Sequence, residues 1–132
     1  MTAWDVVVPG GALLGEGPHW DGQRLWWVDI EGHAVHRTDV DTGADDVLAM
    51  GTQVGSVIPL VGGGFLAGLP DGIGFFDDTG TQTNHLAVEA DDTESRMNDA
   101  KVSPDGRLFT GTMIDGDFRT ALYRLDPDGS LT

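Results

Sequence analysis

Short apolar runs separated by turn residues make up most of the chain, and they lack the three-to-four-residue period of an amphipathic helix. The runs come in pairs: Arg24–Ile30 is followed by His33–Asp39, and a second pair flanks a turn at Pro70–Gly72. A third pair reads "GRLFTGTM" and "ALYRLDPDG". Each pair ends in Asp-Thr-Gly or Pro-Asp-Gly, which are turn sequences. The pattern therefore predicts consecutive β-hairpins and an all-β protein.

The hairpins repeat at a regular distance along the chain. Leu25, Phe65 and Leu108 occupy equivalent places in successive units, 40 and 43 residues apart. A period near 40 residues with about four short strands is typical of a propeller blade. Three such units fill the chain, whereas a closed propeller has about 4–8 blades. We therefore expect part of a ring, with a further strand at Trp4–Val8 that has no partner in the first unit.

The charge and composition restrict the function classes. The formal net charge of −15, from 22 acidic and 7 basic residues, disfavours nucleic acids and anionic membranes and attracts cations. No cysteine is present, which excludes disulfides, thiolate metal sites and cysteine nucleophiles. The sequence contains no apolar run of membrane-spanning length and no recognisable signal peptide, so the predicted location is cytoplasmic.

Glu16 is the first residue with candidate chemistry, because it lies between two glycines just ahead of a predicted inner strand. Glycine allows turn geometry and close approach of other groups, and a carboxylate there suits a hard cation such as Ca²⁺ or Mg²⁺. The alternative is an exposed acid in a glycine turn, and by itself one carboxylate favours that alternative. Among the histidines only His19 lies near Glu16.

Arg96 and Asn98 are the second candidate pair, in the stretch "RMNDAKVSPDG". In a regular strand they share one face, while Met97 and Asp99 share the other. An arginine beside an amide suits a polyhydroxy or carboxylated ligand. The alternative is a surface arginine beside a turn-forming Asn-Asp pair. In that strand we expect Met97 to pack and Asp99 to cap the turn or orient its neighbours.

Two blocks carry a resemblance to a known family. The block Leu14–Asp39, which contains "LGEGPHWDGQRLWWVDIEGHAVHRTD", and the block Arg96–Gly129 resemble the senescence-marker-protein, gluconolactonase and regucalcin family. The blade between them is also similar to that family, so the resemblance covers essentially the whole chain. It extends to the N-terminal half of the family's domain, so residues 1–132 are predicted to form an incomplete domain.

The resemblance implies a six-bladed propeller that hydrolyses sugar lactones with one divalent cation in its central channel. It implies Ca²⁺ or Zn²⁺, with Mg²⁺ or Mn²⁺ as alternatives. Glu16 matches the family's first metal-binding glutamate, and Arg96 and Asn98 match residues that hold the substrate. By this resemblance the metal polarises the lactone carbonyl, the two side chains orient the sugar, and a base activates water.

The chain lacks some of the functional residues that the family's pattern contains. The family's remaining metal ligands, an asparagine and an aspartate that is also the favoured base, belong to later blades and have no counterpart here. No catalytic residue is therefore assigned. One hypothesis is a lactonase whose second half is supplied by a continuation of the chain, another chain or self-association. The other is a non-catalytic propeller fragment that acts as a binding or assembly module.

Overall fold

The structure is a computed structural model that describes residues 3–132. All regular elements in this range are β-strands, and they form three antiparallel sheets that follow one another along the chain. The all-β prediction is therefore confirmed, and each sheet corresponds to one of the repeat units. Within this range there is no helix of the length and apolarity that a bilayer span needs.

Each sheet is a meander in which consecutive strands pair. Sheet 1 consists of β1 (Gly15–Trp20), β2 (Leu25–Asp29), β3 (Ala34–Thr38) and β4 (Asp45–Ala49). Sheet 2 consists of β5 (Ser56–Pro59), β6 (Phe65–Leu69), β7 (Gly72–Phe76) and β8 (Gln82–Ala87). Sheet 3 consists of β9 (Arg96–Val102), β10 (Leu108–Met113) and β11 (Leu122–Leu125), with an additional bridge from Leu125 to Leu131.

The predicted repeat register matches the strand boundaries. Leu25, Phe65 and Leu108 are the first residues of β2, β6 and β10, the second strand of each sheet. The matching positions arise because each blade begins with an inner strand and a tight turn of similar length. The three units are therefore equivalent blades of a partial propeller.

Sheet 2 lies between the other two sheets, and both faces of its first three strands, β5 to β7, are buried. One face packs against sheet 1 through Phe65, Ala67 and Leu69, and the other packs against sheet 3 through Leu66 and Ile73. Every residue of β6 is consequently buried. A strand covered on both faces needs an unbroken apolar run, which is why "FLAGL" lacks the alternation of a half-exposed strand.

Aromatic side chains fill the interface between the first two blades. The ring of Phe65 lies 5.6 Å from that of Trp26 and 5.0 Å from that of Phe76. Arg37 crosses the same interface: its guanidinium lies 5.5 Å from the Trp26 ring centroid, and its Nη1 donates to the Asp78 carbonyl oxygen at 2.9 Å. These contacts hold blades 1 and 2 in a fixed relative position.

The prediction of a strand at Trp4–Val8 is wrong for this structure. These residues belong to no sheet, and the side chains of Trp4 and Val6 are largely exposed. An apolar run has strand propensity, but it becomes a strand only where a neighbouring edge supplies hydrogen bonds. Within the described residues β1 and β4 are the edge strands of sheet 1, and the Trp4–Val8 segment pairs with neither of them.

Candidate functional site

Glu16 lies on β1, the first strand of blade 1, and its side chain is exposed. The pairing of β1 with β2 is regular up to Glu16 and resumes at His19, so Gly17 and Pro18 form a β-bulge. Gly17 has a φ of 57°, a backbone conformation that glycine adopts at little cost. The glycine after Glu16 is therefore explained by the bulge, which bends the strand next to the carboxylate.

Arg96 and Asn98 lie on β9, the first strand of blade 3, and the structure brings them into contact. Nη1 of Arg96 donates to Oδ1 of Asn98 at 3.0 Å and to the carbonyl oxygen of Met97 at 3.1 Å. Both side chains are half-buried. The predicted pairing of these two residues on one face of the strand agrees with this contact.

The predicted partnership of Met97 and Asp99 on the opposite face is wrong, because β9 also contains a bulge. Thr112 of β10 pairs with Met97 and Thr110 pairs with Ala100, so two residues of β9 stand opposite one of β10. Met97 and Ala100 are therefore the buried pair, and Asp99 is exposed. Oδ1 of Asp99 accepts a hydrogen bond from the Ala100 amide at 2.8 Å, so it stabilises the bulge itself.

The bulges of β1 and β9 approach each other across the inner edges of the blades. A Cβ atom placed on Gly17 would lie 3.9 Å from Oδ1 of Asp99, although the two residues are on blades 1 and 3. Between them, β5 of blade 2 contacts both β1 and β9. The fold thus brings the blocks Leu14–Asp39 and Arg96–Gly129, which contain the candidate site residues, together along the inner strands β1, β5 and β9.

A cleft of about 400 Å³ opens beside Arg96. It is lined mainly by loops at the end of the sheets where the inner strands begin, including Leu14, Glu31, Gln53, Ser95, Arg96 and Asp115. Neither Glu16 nor Asn98 lines this cleft; Asn98 borders a second depression of about 310 Å³ on the open face of sheet 3. The wall of the cleft is therefore polar and acidic, and Arg96 supplies its single guanidinium group.

His19, the histidine nearest to Glu16 in sequence, is directed elsewhere. It lines a separate cleft with Trp20, Pro59 and Val61, and this cleft shares no residue with the one beside Arg96. Proximity in sequence did not bring His19 to the candidate site, because β1 runs away from that end of the blade.

The described residues do not fit a divalent cation on their own. No group of three or more His, Asp or Glu side chains within residues 3–132 is arranged to hold a metal ion. Glu16 offers a carboxylate, but Oδ1 of Asn98 already accepts from Arg96. Since Ca²⁺ takes about 6–8 oxygen ligands, this donor set is too small.

We expect the isolated 132-residue chain to bind divalent cations only weakly. Isothermal titration with Ca²⁺ and with Zn²⁺ should show no saturable site at micromolar concentrations, because one free carboxylate cannot replace a hydration shell. Removal of metal with a chelator should leave the melting temperature unchanged. Tight stoichiometric binding that is lost in Glu16→Gln would contradict this expectation.

Asp29, at the end of β2, determines how the chain enters β1, and sequence reasoning missed it. The carboxylate is buried and accepts three backbone hydrogen bonds at 2.9 Å, from Leu13, Leu14 and Gly32. The Ile30 amide also donates to the Leu14 carbonyl at 3.0 Å. Asp29 therefore fixes the segment immediately before Gly15 and Glu16. An acid that ends the apolar run "LWWV" is the sequence signal that could have revealed it.

We expect the contribution of Asp29 to stability to disappear at acidic pH. Burial alone would raise the pKa of Asp29, but its backbone hydrogen bonds outweigh burial and hold the pKa below its ordinary value. A carboxylate with a lowered folded-state pKa stabilises the fold above its unfolded pKa of roughly 4, and this contribution is lost as the pH falls through the folded pKa.

Asp29→Asn should therefore lower the free energy of unfolding by about 2 kcal/mol at pH 7, because an amide cannot accept all three bonds. The difference from wild type should shrink as the pH falls below roughly 4. Denaturant unfolding at several pH values measures this. Asp41→Asn, at an exposed turn position, is the matched control. A difference that does not change with pH would contradict the assigned role.

The chain is similar to several known proteins in sequence and in fold. The chain is similar to a pentonolactonase of Haloferax volcanii (38% identity over 129 residues, covering 96% of this chain and 43% of that protein). It is also similar to a 6-deoxy-6-sulfogluconolactonase of Pseudomonas putida (36% over 110 residues, 81% and 38%). Among solved structures, a regucalcin from Agrobacterium tumefaciens, described as a calcium-binding protein, superposes with a TM-score of 0.88 at 28% identity, covering 96% of this chain and 44% of that one.

The fraction of each relative's length that the chain covers is as informative as the sequence identity. The chain spans less than half the length of these relatives, in keeping with three blades of a larger propeller. The sequence model of the SMP-30/gluconolactonase/LRE-like region matches residues 14–132, which includes all eleven strands of the described range. The chain therefore belongs to the SMP-30/gluconolactonase/LRE-like family, as its sequence blocks predicted.

Proposed function

We propose that residues 1–132 form the first three blades of a six-bladed propeller that hydrolyses a sugar lactone. The observation that carries the proposal is the contact on β9 between Arg96, which lines the cleft of about 400 Å³, and Asn98. The lactonases among the relatives support the reaction class. In this proposal Arg96 and Asn98 bind substrate, and Glu16 is one ligand of a divalent cation whose other ligands lie outside the 132 residues.

The contact leaves specific donors free for a ligand. Arg96 uses Nη1 for Asn98 and Met97, so Nε and Nη2 remain as donors for a ring hydroxyl or for the lactone carbonyl oxygen. Because Oδ1 of Asn98 is occupied, its amide nitrogen is the group left to donate. When water attacks a lactone, negative charge develops on the carbonyl oxygen, and fixed donors of this kind stabilise that charge.

The negative net charge of the chain is compatible with the approach of the substrate and favours the release of the product. A sugar lactone is neutral, so the formal charge of −15 does not hinder its approach. Hydrolysis converts it to an aldonate, which carries a carboxylate and is repelled by the acidic surface. The acidic residues around the cleft, such as Glu31, Glu94 and Asp115, would therefore favour release of the product.

We expect Arg96→Ala to raise the KM for an aldonolactone at least tenfold while the melting temperature changes little. A hydrogen bond from a charged donor contributes about 1.5–3 kcal/mol, and 1.4 kcal/mol corresponds to a factor of ten. The assay uses a complete ring in which these blades are joined to second-half blades, for example those of the pentonolactonase relative, and follows acid release with a panel of aldonolactones.

Arg107→Ala is the matched control, because Arg107 pairs with Asp105 and Asp126 at the other end of blade 3. Its KM should equal that of the wild type. A folded ring that hydrolyses none of the lactones would overturn the proposed function. Retained activity with a large loss of melting temperature in Arg96→Ala would identify Arg96 as structural.

A second candidate function is a binding or assembly module without catalysis. It is favoured by the absence of a three-ligand cluster within residues 3–132. The same assay separates the two, because a non-catalytic module would bind lactone or aldonate in a titration without releasing acid.

A further inference from the structure

Glu89, in the link between blades 2 and 3, is a half-buried acid on which three hydroxyl groups converge. Its Oε1 accepts from Oγ1 of Thr112 at 3.0 Å and from the hydroxyl of Tyr123 at 2.8 Å. Its Oε2 accepts from the hydroxyl of Ser95. None of these four residues was singled out by the sequence patterns, since they are far apart in the chain.

The three donors surround the start of β9, where Arg96 lies. Ser95 immediately precedes Arg96, and Thr112 stands opposite Met97 on β10. Tyr123 is on β11, the next strand of the sheet. One carboxylate thus ties β10 and β11 of blade 3 to Ser95, the residue immediately before β9, at the end that carries the cleft.

The backbone of the link is folded back to make this possible. The Asp92 amide donates to the Glu89 carbonyl at 2.9 Å, and the Ser95 amide donates to the Asp92 carbonyl at 3.2 Å. Glu89 itself has a φ of 49°, a left-handed conformation that costs a residue other than glycine about 1 kcal/mol or more. Such a conformation persists where surrounding contacts hold it, and the three hydroxyl donors are those contacts.

A carboxylate is the group that suits this position. It accepts several hydrogen bonds at once and donates none, whereas each hydroxyl supplies one proton. Burial by itself would raise the pKa of Glu89, but the bonds from Ser95, Tyr123 and Thr112 outweigh it and keep the pKa below its ordinary value. The side chain is therefore ionised and fully engaged at neutral pH.

We infer that Glu89 is a positioning residue for Arg96: by holding Ser95 and Thr112, it fixes the start of β9, so that the Arg96 guanidinium lies at the cleft and donates to Asn98. The effect on the ligand rests on the proposed function. The effect on the Arg96 side chain does not, and it can be measured without any substrate.

The first experiment observes the Arg96 guanidinium in the complete ring, without substrate, by ¹H–¹⁵N NMR, with its Nε–Hε signal assigned from its loss in Arg96→Ala. Glu89→Ala should shift this signal, and the isosteric Glu89→Gln should shift it less, because the amide keeps one oxygen acceptor. Asp91→Asn, at an exposed position on the same link that does not line the cleft, should leave it in place. An unchanged Arg96 signal in a folded Glu89 variant would overturn the inference.

The second experiment uses the complete ring and a double-mutant cycle. Glu89→Gln should raise the KM for an aldonolactone about fivefold in the wild-type background and less than twofold when Arg96 is already alanine. Equal effects in both backgrounds would overturn the inference. A wild-type ring without hydrolysis would refute the proposed function instead, and the NMR result would still decide the role of Glu89.

Discussion

Gly55→Ala is expected to lower the free energy of unfolding by about 3 kcal/mol and to displace Asn98. A Cβ atom at Gly55 would overlap the carbonyl oxygen of Met97 and lie 3.0 Å from the Cα of Asn98. Both atoms belong to the backbone of β9, so no rotation of a side chain can relieve the overlap. Blades 2 and 3 would have to move apart beside Asn98.

The matched control is Gly111→Ala on β10. A Cβ atom there would lie 3.8 Å from the Ala121 carbonyl oxygen, which is ordinary contact, so its unfolding free energy should change by less than about 1 kcal/mol. Denaturant unfolding followed by tryptophan fluorescence measures both variants. A stability of Gly55→Ala equal to that of Gly111→Ala would show that blades 2 and 3 are not in close backbone contact.

The 132-residue chain, prepared on its own, is expected to self-associate or aggregate. Sheet 3 presents Phe109 and Leu122 on its face away from sheet 2, and Leu122 is 73% exposed. The apolar residues Trp4 and Val6 are also exposed, at 97% and 73%. Open sheet faces and apolar patches of this kind promote association. One closed product would be a two-fold ring of six blades, in which Trp4–Val8 of one copy completes the last blade of the other.

Analytical ultracentrifugation across a hundredfold range of concentration tests this expectation. Leu122→Lys should shift the population toward monomer, because it places a charge on the open face. Val61→Lys is the matched control, since Val61 is fully exposed at the β5–β6 turn and away from that face. A wild-type chain that stays monomeric at the highest concentration would contradict the expectation.

The repeat architecture was predictable because local features of the sequence determine it. Turn dipeptides and apolar runs determine where strands start, and so Leu25, Phe65 and Leu108 matched the observed strand boundaries. That Trp4–Val8 forms no strand was not predictable in the same way, because strand formation depends on a partner edge that local sequence does not describe.

The candidate site was predictable only in part. The spacing of Arg96 and Asn98 placed them on one face, which agrees with their 3.0 Å contact. The bulge that separates Asp99 from Met97 changes the alternation by one residue, and a strict two-residue period cannot anticipate it. Asp29 and Glu89 act through partners that are up to 16 and 34 residues away, so their roles emerge only from the folded chain.

A crystal structure of the complete ring with a bound aldonate, the hydrolysis product, shows directly whether Arg96 and Asn98 bind the sugar. We expect aldonate oxygen atoms to lie within about 3 Å of the Arg96 guanidinium and of the Asn98 amide nitrogen, at the inner edge of blade 3. An aldonate bound away from β9, with Arg96 and Asn98 making no contact to it, would refute their assignment as substrate-binding residues.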